Sequence, residues 1–251
     1  MIASLMMYAR PELEGAHARF WALIREELAA RGVDSPETLS QEAEEFFVWE
    51  HPDLVLSQTC GLPYRTRLCD SVQLVATPDY GLEGCAPGHY RSALVVRADD
   101  PRKSLASFED ARLAYNQNFS QSGFAAPYFH CMAAGFWFET RVQTGGHLRS
   151  ARAVAQGQAD IAAIDAQTWR LIVAHEAFAH QLRVLEWTAP TPALPMITGK
   201  GQDSTTIAAA LTAAHARLPT PDSAALGLRG YVQIPKDAYL AVPTPPDRAC
   251  C

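Results

Sequence analysis

Apolar runs of strand length alternate with helical patterns along the first half of the chain. The segments Asp53–Thr59, Ser71–Tyr80 and Tyr90–Pro101 are continuous enough in apolar residues to be buried strands. Glu12–Arg31 instead carries apolar residues at three- and four-residue spacing. This spacing predicts an amphipathic helix, which Gly32 ends.

The second half of the chain continues the alternation. Asp160–Ile164 is predicted to be a strand, whereas Ala126–Phe138 and Thr205–Ala216 are predicted helices. The chain also starts at once on an apolar run, Ile2–Tyr8, which predicts a first strand. Strands that alternate with helices throughout predict an α/β architecture with mainly parallel sheets.

Composition narrows the class of protein. The chain has 251 residues, of which 48% are hydrophobic and 19% charged, with a net charge of −6. This length suits one large domain or two lobes, and the acidic balance argues against a general nucleic-acid binder. No apolar run approaches the ~20 residues that span a bilayer, which excludes membrane insertion. The opening "MIASLMMYARPE" is not a signal peptide, so we expect a cytoplasmic protein or one whose signal was removed.

The six cysteines form neither a CxxC pair nor a zinc pattern. Cys60, Cys69, Cys85 and Cys131 are expected to be apolar thiols, with a Cys60–Cys69 or a Cys69–Cys85 disulfide as the alternative. Cys250 and Cys251 form a terminal pair that we expect to be disordered. The sequence therefore predicts no metal site.

Polar loops follow several of the predicted strands. They are Tyr8, Ser57–Gly61, Asn116–Gly123, Thr144–His147 and Asp165. In an open α/β sheet, ligands bind beyond the carboxyl ends of the strands. Two of these loops, "SQSG" and "TGGH", lead directly into helices, whose first N–H groups favour an anion. These loops therefore predict an anion site.

Each residue of these loops also has an ordinary structural interpretation. Ser120 or Ser122 alone is an N-cap, His147 alone is a helix-start residue, and Asp165 could cap the helix that contains Trp169. The phosphate-cradling motifs GxGxxG and GxxxxGK[ST] are both absent from the sequence. Nucleotide binding and other cofactors are therefore not predicted.

The order of "DLVLSQTCGLPYR", "NFSQSGFAAP", "TGGHLRSARAVAQGQADIAAID" and "APTPALPMITG" resembles the phosphonate-binding periplasmic protein family. These proteins are solute receptors of phosphate, phosphite and phosphonate ABC importers. The resemblance covers roughly Ile2 to Gly230 and implies the two-lobed type 2 periplasmic-binding-protein fold, with a ligand cleft between the lobes. It implies residues 1–90 and 191–251 as lobe 1 and residues 91–190 as lobe 2. Lobe closure would occur about a hinge near Arg91–Ala98 and Leu185–Pro195.

The resemblance also implies a set of ligand-binding residues. Lobe 2 would supply the anion-binding helix start, the family's histidine and an acidic residue that accepts a hydrogen bond from a protonated ligand: Asn118, Ser120, Ser122, Gly123, His147 and Asp165. The other lobe would supply Tyr8, Gln58, Thr59, Cys60 and Gly61, with Tyr64 and Tyr90 as aromatic walls.

This resemblance predicts a non-enzymatic binding protein for phosphonate, phosphite or phosphate. The expected state is a monomer or weak dimer, with an ABC permease as candidate partner and the periplasm as compartment. The alternative is a cytoplasmic sensor or an enzyme on the same fold, similar to those of thiamine-precursor synthesis. Such an enzyme would use Cys60 as nucleophile and His147 as base.

Overall fold

The structure is a computed structural model and describes residues 1–246. The terminal pair Cys250 and Cys251 lies outside the described residues. The other four cysteines are all thiols, so neither of the two disulfides considered is formed. No helix in the described part of the chain is long and apolar enough to cross a membrane.

The described residues contain twelve short strands. In chain order they are β1 (Ile2–Ser4), β2 (Leu54–Gln58), β3 (Val72–Asp79), β4 (His89–Tyr90), β5 (Ser92–Arg97), β6 (Leu113–Tyr115), β7 (Arg141–Gln143), β8 (Ile161–Asp165), β9 (Leu182–Trp187), β10 (Thr191–Pro192), β11 (Met196–Gly199) and β12 (Gly230–Val232).

Nine α-helical segments are interspersed with these strands in residues 1–246. They are α1 (Glu14–Ala29), α2 (Glu45–Trp49), α3 (Gly61–Pro63), α4 (Ala126–Ala133), α5 (His147–Ala155), α6 (Ala166–His175), α7 (Ser204–Arg217), α8 (Thr220–Leu226) and α9 (Lys236–Leu240). Two π-helical segments adjoin them: Tyr64–Leu68 continues α3, and Gln121–Ala125 leads into α4. Single 3-10 turns cover Met6–Tyr8, Pro11–Leu13, Leu105–Phe108 and Ala177–Gln181.

Two predicted elements are shorter in the structure. The first strand ends at Ser4, and Met6–Tyr8 is a 3-10 turn rather than part of the strand. The predicted helix Ala126–Phe138 ends at Ala133 because Gly135 has a φ of +95°, which helical residues do not adopt.

The described chain divides into two compact units. Unit 1 comprises Met1–His89 and Pro192–Val242. Unit 2 comprises Tyr90–Thr191 together with the described residues from Pro243. The sequence analysis had assigned the whole of residues 191–251 to the first lobe.

Unit 1 is built on a five-stranded sheet in the order β1-β2-β11-β3-β12. β1 pairs with β2 in parallel, whereas β11 and β12 run antiparallel to their neighbours. α1 packs against α7 through buried residues such as Phe20, Ile24 and Leu28. Burying each such side chain stabilises the fold by about 1.5–3 kcal/mol.

Unit 2 is built on a second five-stranded sheet, in the order β7-β6-β8-β5-β9. β7, β6 and β8 are parallel neighbours, and β5 runs antiparallel to both β8 and β9. One face of the sheet packs on Val154 and Ile172 from the helices α5 and α6. The other face packs on Phe108, Cys131 and Phe138. Helices and loops therefore cover both faces.

The α/β class is confirmed, but the prediction of mainly parallel sheets needs correction. In unit 1, three of the four strand pairings named above are antiparallel, and in unit 2 two of four are. The reason in unit 2 is that β5 lies between β8 and β9 and opposes both. An antiparallel strand of this kind is apolar in the same way as a parallel one, so its direction cannot be read from composition.

Candidate functional site

The polar loops of unit 2 meet at one edge of its sheet. β7, β6 and β8 are parallel neighbours, so their carboxyl ends lie side by side. The loop after β6 and the loop after β7 are joined by two backbone hydrogen bonds. The Thr144 N–H donates to the Tyr115 carbonyl at 2.8 Å, and the Gly145 N–H donates to the Asn116 carbonyl at 2.9 Å. Two helix starts are thereby held next to each other.

The first helix start is the segment Ser120–Ala125. The Ser120 hydroxyl is the N-cap and accepts a hydrogen bond from the Gly123 N–H at 3.0 Å. The chain then makes a π turn, in which the Ala125 N–H donates to the Ser120 carbonyl at 3.0 Å, before it enters α4. π turns of this kind are frequent at functional sites. The hydroxyl of Ser122 is not needed as a cap and can serve another purpose.

Gly123 is required by its neighbours rather than by its backbone angles. A Cβ at this position would lie 1.9 Å from the Asn116 Oδ1 and 3.1 Å from the His147 Cε1. No side chain fits there without displacing one of these two groups. The helix start, Asn116 and His147 are therefore packed as one unit.

The second helix start is the "TGGH" turn. Gly146 is the N-cap of α5 without a side-chain bond, and His147 is the first helical residue. The Thr144 hydroxyl holds the turn by bonding to the carbonyl oxygens of Tyr115 and Gly146, both at 3.1 Å, and to the Ser150 hydroxyl at 2.6 Å. This places the N–H groups of α5 beside those of the first helix start.

His147 joins the two helix starts through its ring nitrogens. Its Nδ1 lies 3.2 Å from the Ala163 carbonyl on β8, and its Nε2 lies 2.9 Å from the Ser122 Oγ and 3.5 Å from the Asn116 Nδ2. A carbonyl can only accept, so Nδ1 carries the proton and the Nε2 lone pair faces Ser122. Desolvation lowers the pKa of His147 to about 4, although part of its side chain remains exposed. The imidazole is therefore neutral near neutral pH.

Asp165 lies at the carboxyl end of β8 and is 2% exposed. Its carboxylate caps α6 by accepting a hydrogen bond from the Thr168 N–H at 2.9 Å. Ser92 pairs with Asp165 across the sheet and donates its hydroxyl to the Ser122 carbonyl at 2.8 Å. The ordinary interpretation of Asp165 as a helix cap is thus observed. This hydrogen bond from Ser92 stabilises the first helix start.

Two further residues were expected in the site by resemblance. Asn118 is an exposed residue of the loop after β6. Tyr90, the last residue of β4, is almost completely buried. The sequence analysis placed Asn116 in a polar loop but not among the ligand-binding residues, and it did not select Ser92. The available signal was position, because each stands at the end of a strand that borders the polar loops.

The remaining expected residues belong to unit 1. The Tyr8 ring packs edge-on against Tyr80 with centroids 5.2 Å apart. The Gln58 Nε2 donates to the Tyr80 hydroxyl at 3.2 Å and to the Leu194 carbonyl at 3.1 Å. The Trp49 indole donates to the Gln58 carbonyl at 3.0 Å. Gln58 is therefore fixed within unit 1 through both its backbone and its side chain.

Thr59, Cys60 and Gly61 lead from β2 into α3. The Thr59 N–H donates to the Pro195 carbonyl at 3.0 Å, and Cys60 is the N-cap of α3, which begins at Gly61. Tyr64 is 1% exposed and packs edge-on against Tyr239. Desolvation raises the pKa of Tyr64 to about 12, so its hydroxyl stays protonated.

The arrangement in unit 2 suits the binding of an anion. It combines two helix starts, a serine hydroxyl and a histidine at one sheet edge. A serine hydroxyl beside a neutral imidazole also occurs in nucleophilic enzymes. There a carboxylate commonly stabilises the imidazolium, whereas here the third group is the neutral Ala163 carbonyl. In residues 1–246, no group of His, Cys, Asp or Glu side chains is placed to hold a metal ion.

Comparison with solved structures confirms the expected periplasmic-binding-protein fold. The binding-protein component of an ABC phosphonate transporter from Pseudomonas aeruginosa is 16% identical, with a TM-score of 0.71 over 95% of this chain and 82% of that one. PhnD1 from Prochlorococcus marinus, solved with methylphosphonate, is 14% identical, with a TM-score of 0.70 over 95% and 93%. A Xanthomonas citri protein solved with ATP is also 14% identical, with a TM-score of 0.67 over 94% and 91%. At these identities the likeness establishes the fold alone.

Sequence comparison establishes the family. No curated protein matches the chain. Residues 12–239, by contrast, match the family described as the phosphonate periplasmic substrate-binding protein of ABC transporters. This match covers most of the chain and includes both helix starts of the candidate site. The chain belongs to the family of phosphonate substrate-binding proteins of ABC transporters.

Proposed function

We propose that this protein binds a small phosphorus oxyanion at the paired helix starts of unit 2 and delivers it to an ABC importer. A phosphonate is the first candidate ligand, because the family is described by it and a protein of the same fold was solved with methylphosphonate. Phosphite and phosphate present the same tetrahedral oxygens and are the other candidates.

The observation that carries the proposal is the junction of the two helix starts at Ser122 and His147. Two helix N-termini at one sheet edge favour negative charge. The Ser122 hydroxyl lies there without a role as a cap, and His147 faces it at 2.9 Å. Gly123 lets Asn116 and His147 pack directly against this helix start, because it has no side chain.

The residues of unit 1 form a second predicted group of ligand contacts: Tyr8, Gln58, Thr59, Cys60, Gly61 and Tyr64. Thr59 gives the sharpest test among them. Its hydroxyl is buried and has no hydrogen-bond partner in residues 1–246. Thr59→Val keeps the shape of the side chain and removes the hydroxyl, so a loss of affinity with unchanged stability would support a role in binding.

The family supports a proposal for the partner and the compartment. A substrate-binding protein of this kind works with an ABC permease in the periplasm. We extend both to this protein. Co-purification with a permease, and fractionation of cells that express the full-length protein, test the two points.

The central experiment begins with native mass spectrometry of freshly purified protein to detect a retained ligand. Titration calorimetry then compares methylphosphonate, phosphite, phosphate and sulfate, with Ser122→Ala as the site variant. We expect at least one phosphorus oxyanion to bind, and to bind less tightly to the variant. Absence of binding by all three phosphorus compounds would contradict the proposal.

An enzyme that uses Cys60 and His147 remains the alternative from another class. Cys60 is 5% exposed, and the Nε2 of His147 faces Ser122 rather than a thiol. Neither observation favours a reactive thiolate. Iodoacetamide should therefore modify Cys60 no faster than an ordinary thiol, whereas rapid and selective modification would support the enzyme.

A further inference from the structure

The neutral ring of His147 presents a hydrogen-bond acceptor to a site that otherwise consists of donors. Its Nδ1–H is used by the Ala163 carbonyl, which leaves the Nε2 lone pair facing the Ser122 hydroxyl. A fully ionised oxyanion has only acceptor oxygens and cannot bond to that lone pair. An oxyanion that keeps one proton can donate it, and the Ser122 hydroxyl is then free to rotate and donate to another ligand oxygen.

Asn116 is the side chain that borders Nε2 from the other direction. It is 8% exposed, and its Nδ2 lies 3.5 Å from the Nε2 of His147. Its Oδ1 is buried against Gly123 and has no hydrogen-bond partner among the described residues. Leaving a buried acceptor unpaired is costly. The arrangement therefore calls for a reason other than stability.

The absence of charge on Asn116 supplies that reason. A carboxylate has nearly the same shape as this amide but would stabilise a positive charge on His147. The amide is neutral, and its Nδ2 lies 3.5 Å from Nε2, at the limit of hydrogen-bond distance, so the lone pair stays available to a ligand proton. Asn116 thus borders the ring without adding a charge, so the desolvated imidazole stays neutral.

No charged side chain on the elements around His147 stabilises a positive charge on its ring. On the elements that pack around His147, the charged side chains are engaged elsewhere: Asp165 caps α6, Arg149 donates to the Gly145 carbonyl and Arg152 pairs with Glu176. The low pKa of His147 comes from its desolvation, which the Ala163 carbonyl opposes, and from no neighbouring charge.

From this geometry we infer that Asn116 is a positioning residue, which packs beside Nε2 without adding a charge and leaves the neutral His147 with its lone pair directed at the anion site. The site consequently selects a tetrahedral oxyanion that carries one proton, such as a hydrogen phosphonate monoanion, and disfavours sulfate. This inference rests on the proposed function for its ligand, but not for the state of His147. The ligand proton stays bonded to the ligand oxygen and makes a hydrogen bond to Nε2, so no covalent bond forms or breaks.

The first test concerns His147 without any ligand. NMR titration of the histidine rings, with the His147 signal assigned from a His147→Gln sample, gives its pKa in wild type, Asn116→Asp and Asn118→Asp. We expect Asn116→Asp to raise the pKa of His147 by about one unit or more, because the new carboxylate faces Nε2. Asn118→Asp adds the same charge in the same loop at an exposed position and should raise it much less. Equal shifts in both variants, or none in Asn116→Asp, would overturn the role of Asn116.

The second test uses the wild-type protein and needs no variant. Calorimetry with methylphosphonate, in two buffers of different ionisation enthalpy, counts the protons taken up on binding. Where the free ligand is mostly the dianion we expect close to one proton per site, and where it is mostly the monoanion close to none. Sulfate should bind about ten- to a hundredfold more weakly, the equivalent of one missing hydrogen bond to a charged group.

Methylphosphonate binding without proton uptake, or sulfate binding of equal strength, would overturn the selection of a protonated ligand. If no phosphorus oxyanion binds at all, the proposed function fails instead. The NMR titration still decides the role of Asn116 in that case, so the two failures are distinguishable.

Discussion

Gly123 lies so close to the side chain of Asn116 that a Cβ would be 1.9 Å from the amide oxygen. Asn116 directly follows β6, and Gly123 lies in the first helix start, seven positions further along the chain. Their contact holds the first helix start against the loop after β6. Any side chain at residue 123 must therefore displace Asn116 or the helix start.

We predict that Gly123→Ala removes anion binding and destabilises the protein. Overpacking of this kind costs about 1–3 kcal/mol. The backbone itself would tolerate alanine, since Gly123 does not have a positive φ, so the effect should come from the contact. Gly201→Ala is the matched control, because a Cβ there would meet nothing within 4 Å. Thermal unfolding and calorimetry compare the two variants, and a Gly123→Ala protein with wild-type stability and affinity would contradict the packing described.

The two serines of the first helix start should respond differently to substitution. The Ser120 hydroxyl caps the Gly123 N–H, so Ser120→Ala should cost about 0.5–2 kcal/mol of stability. The Ser122 hydroxyl contacts His147 and is not a cap. We expect Ser122→Ala to weaken anion binding strongly with a smaller loss of stability, and the double variant to combine both effects.

Chemical denaturation of the single and double variants measures the loss of stability, and calorimetry measures the loss of affinity. Ser104→Ala is a suitable control in the same unit, because Ser104 precedes a short 3-10 helix without making a side-chain cap. It should leave both stability and affinity nearly unchanged. If Ser122→Ala binds the anion as wild type does, the helix start is not the binding site.

The elements around the site were predictable because each is marked locally. Small polar residues between an apolar strand and an apolar helix identified the junction at Ser120–Gly123, and Asp165 was recognised as a possible cap. Local patterns also predicted most strands and helices to within a few residues. The error at Ala126–Phe138 arose because the aromatic residues after Gly135 remain apolar where the chain has already left the helix.

The contacts of Asn116 could not be predicted in the same way, although its place in a polar loop was visible. Its importance depends on contacts with His147 and Gly123, which lie 31 and seven positions away and meet it only in the folded chain. The antiparallel direction of β5 and β11 was likewise hidden, because an apolar run does not reveal which neighbour it pairs with. Sequence patterns thus predict elements better than the contacts between them.

The ion pair between Asp100 and Arg102 should make the stability of the protein depend on pH. The Arg102 guanidinium hydrogen-bonds to this carboxylate at 2.6 Å and lowers the pKa of Asp100 to about 2. The unfolded value is about 3.9. A depressed folded pKa contributes stability above the unfolded pKa, and that contribution is lost as pH falls from about 4 towards 2.

We therefore expect Asp100→Asn to be less stable than wild type at neutral pH and to approach it in acid, below about pH 3. Urea denaturation at a series of pH values measures the difference. Asp34→Asn, at an exposed position, is the control and should follow the wild-type curve. A constant difference between Asp100→Asn and wild type at all pH values would mean that the pair does not act through its charge.

The last prediction separates two roles of Asp165. As the cap of α6, its carboxylate accepts from the Thr168 N–H, and asparagine can do the same almost equally well. Asp165→Asn should therefore keep the wild-type unfolding temperature, whereas Asp165→Ala should lose about 1 kcal/mol of stability.

The same change from Asp to Asn removes a negative charge from the edge of the sheet where we place the anion. It should then raise the affinity for sulfate relative to phosphite and phosphate. Competition titrations with the three anions decide the point: if Asp165→Asn ranks them as wild type does while Asp165→Ala is destabilised, Asp165 is a helix cap and has no part in selecting the ligand.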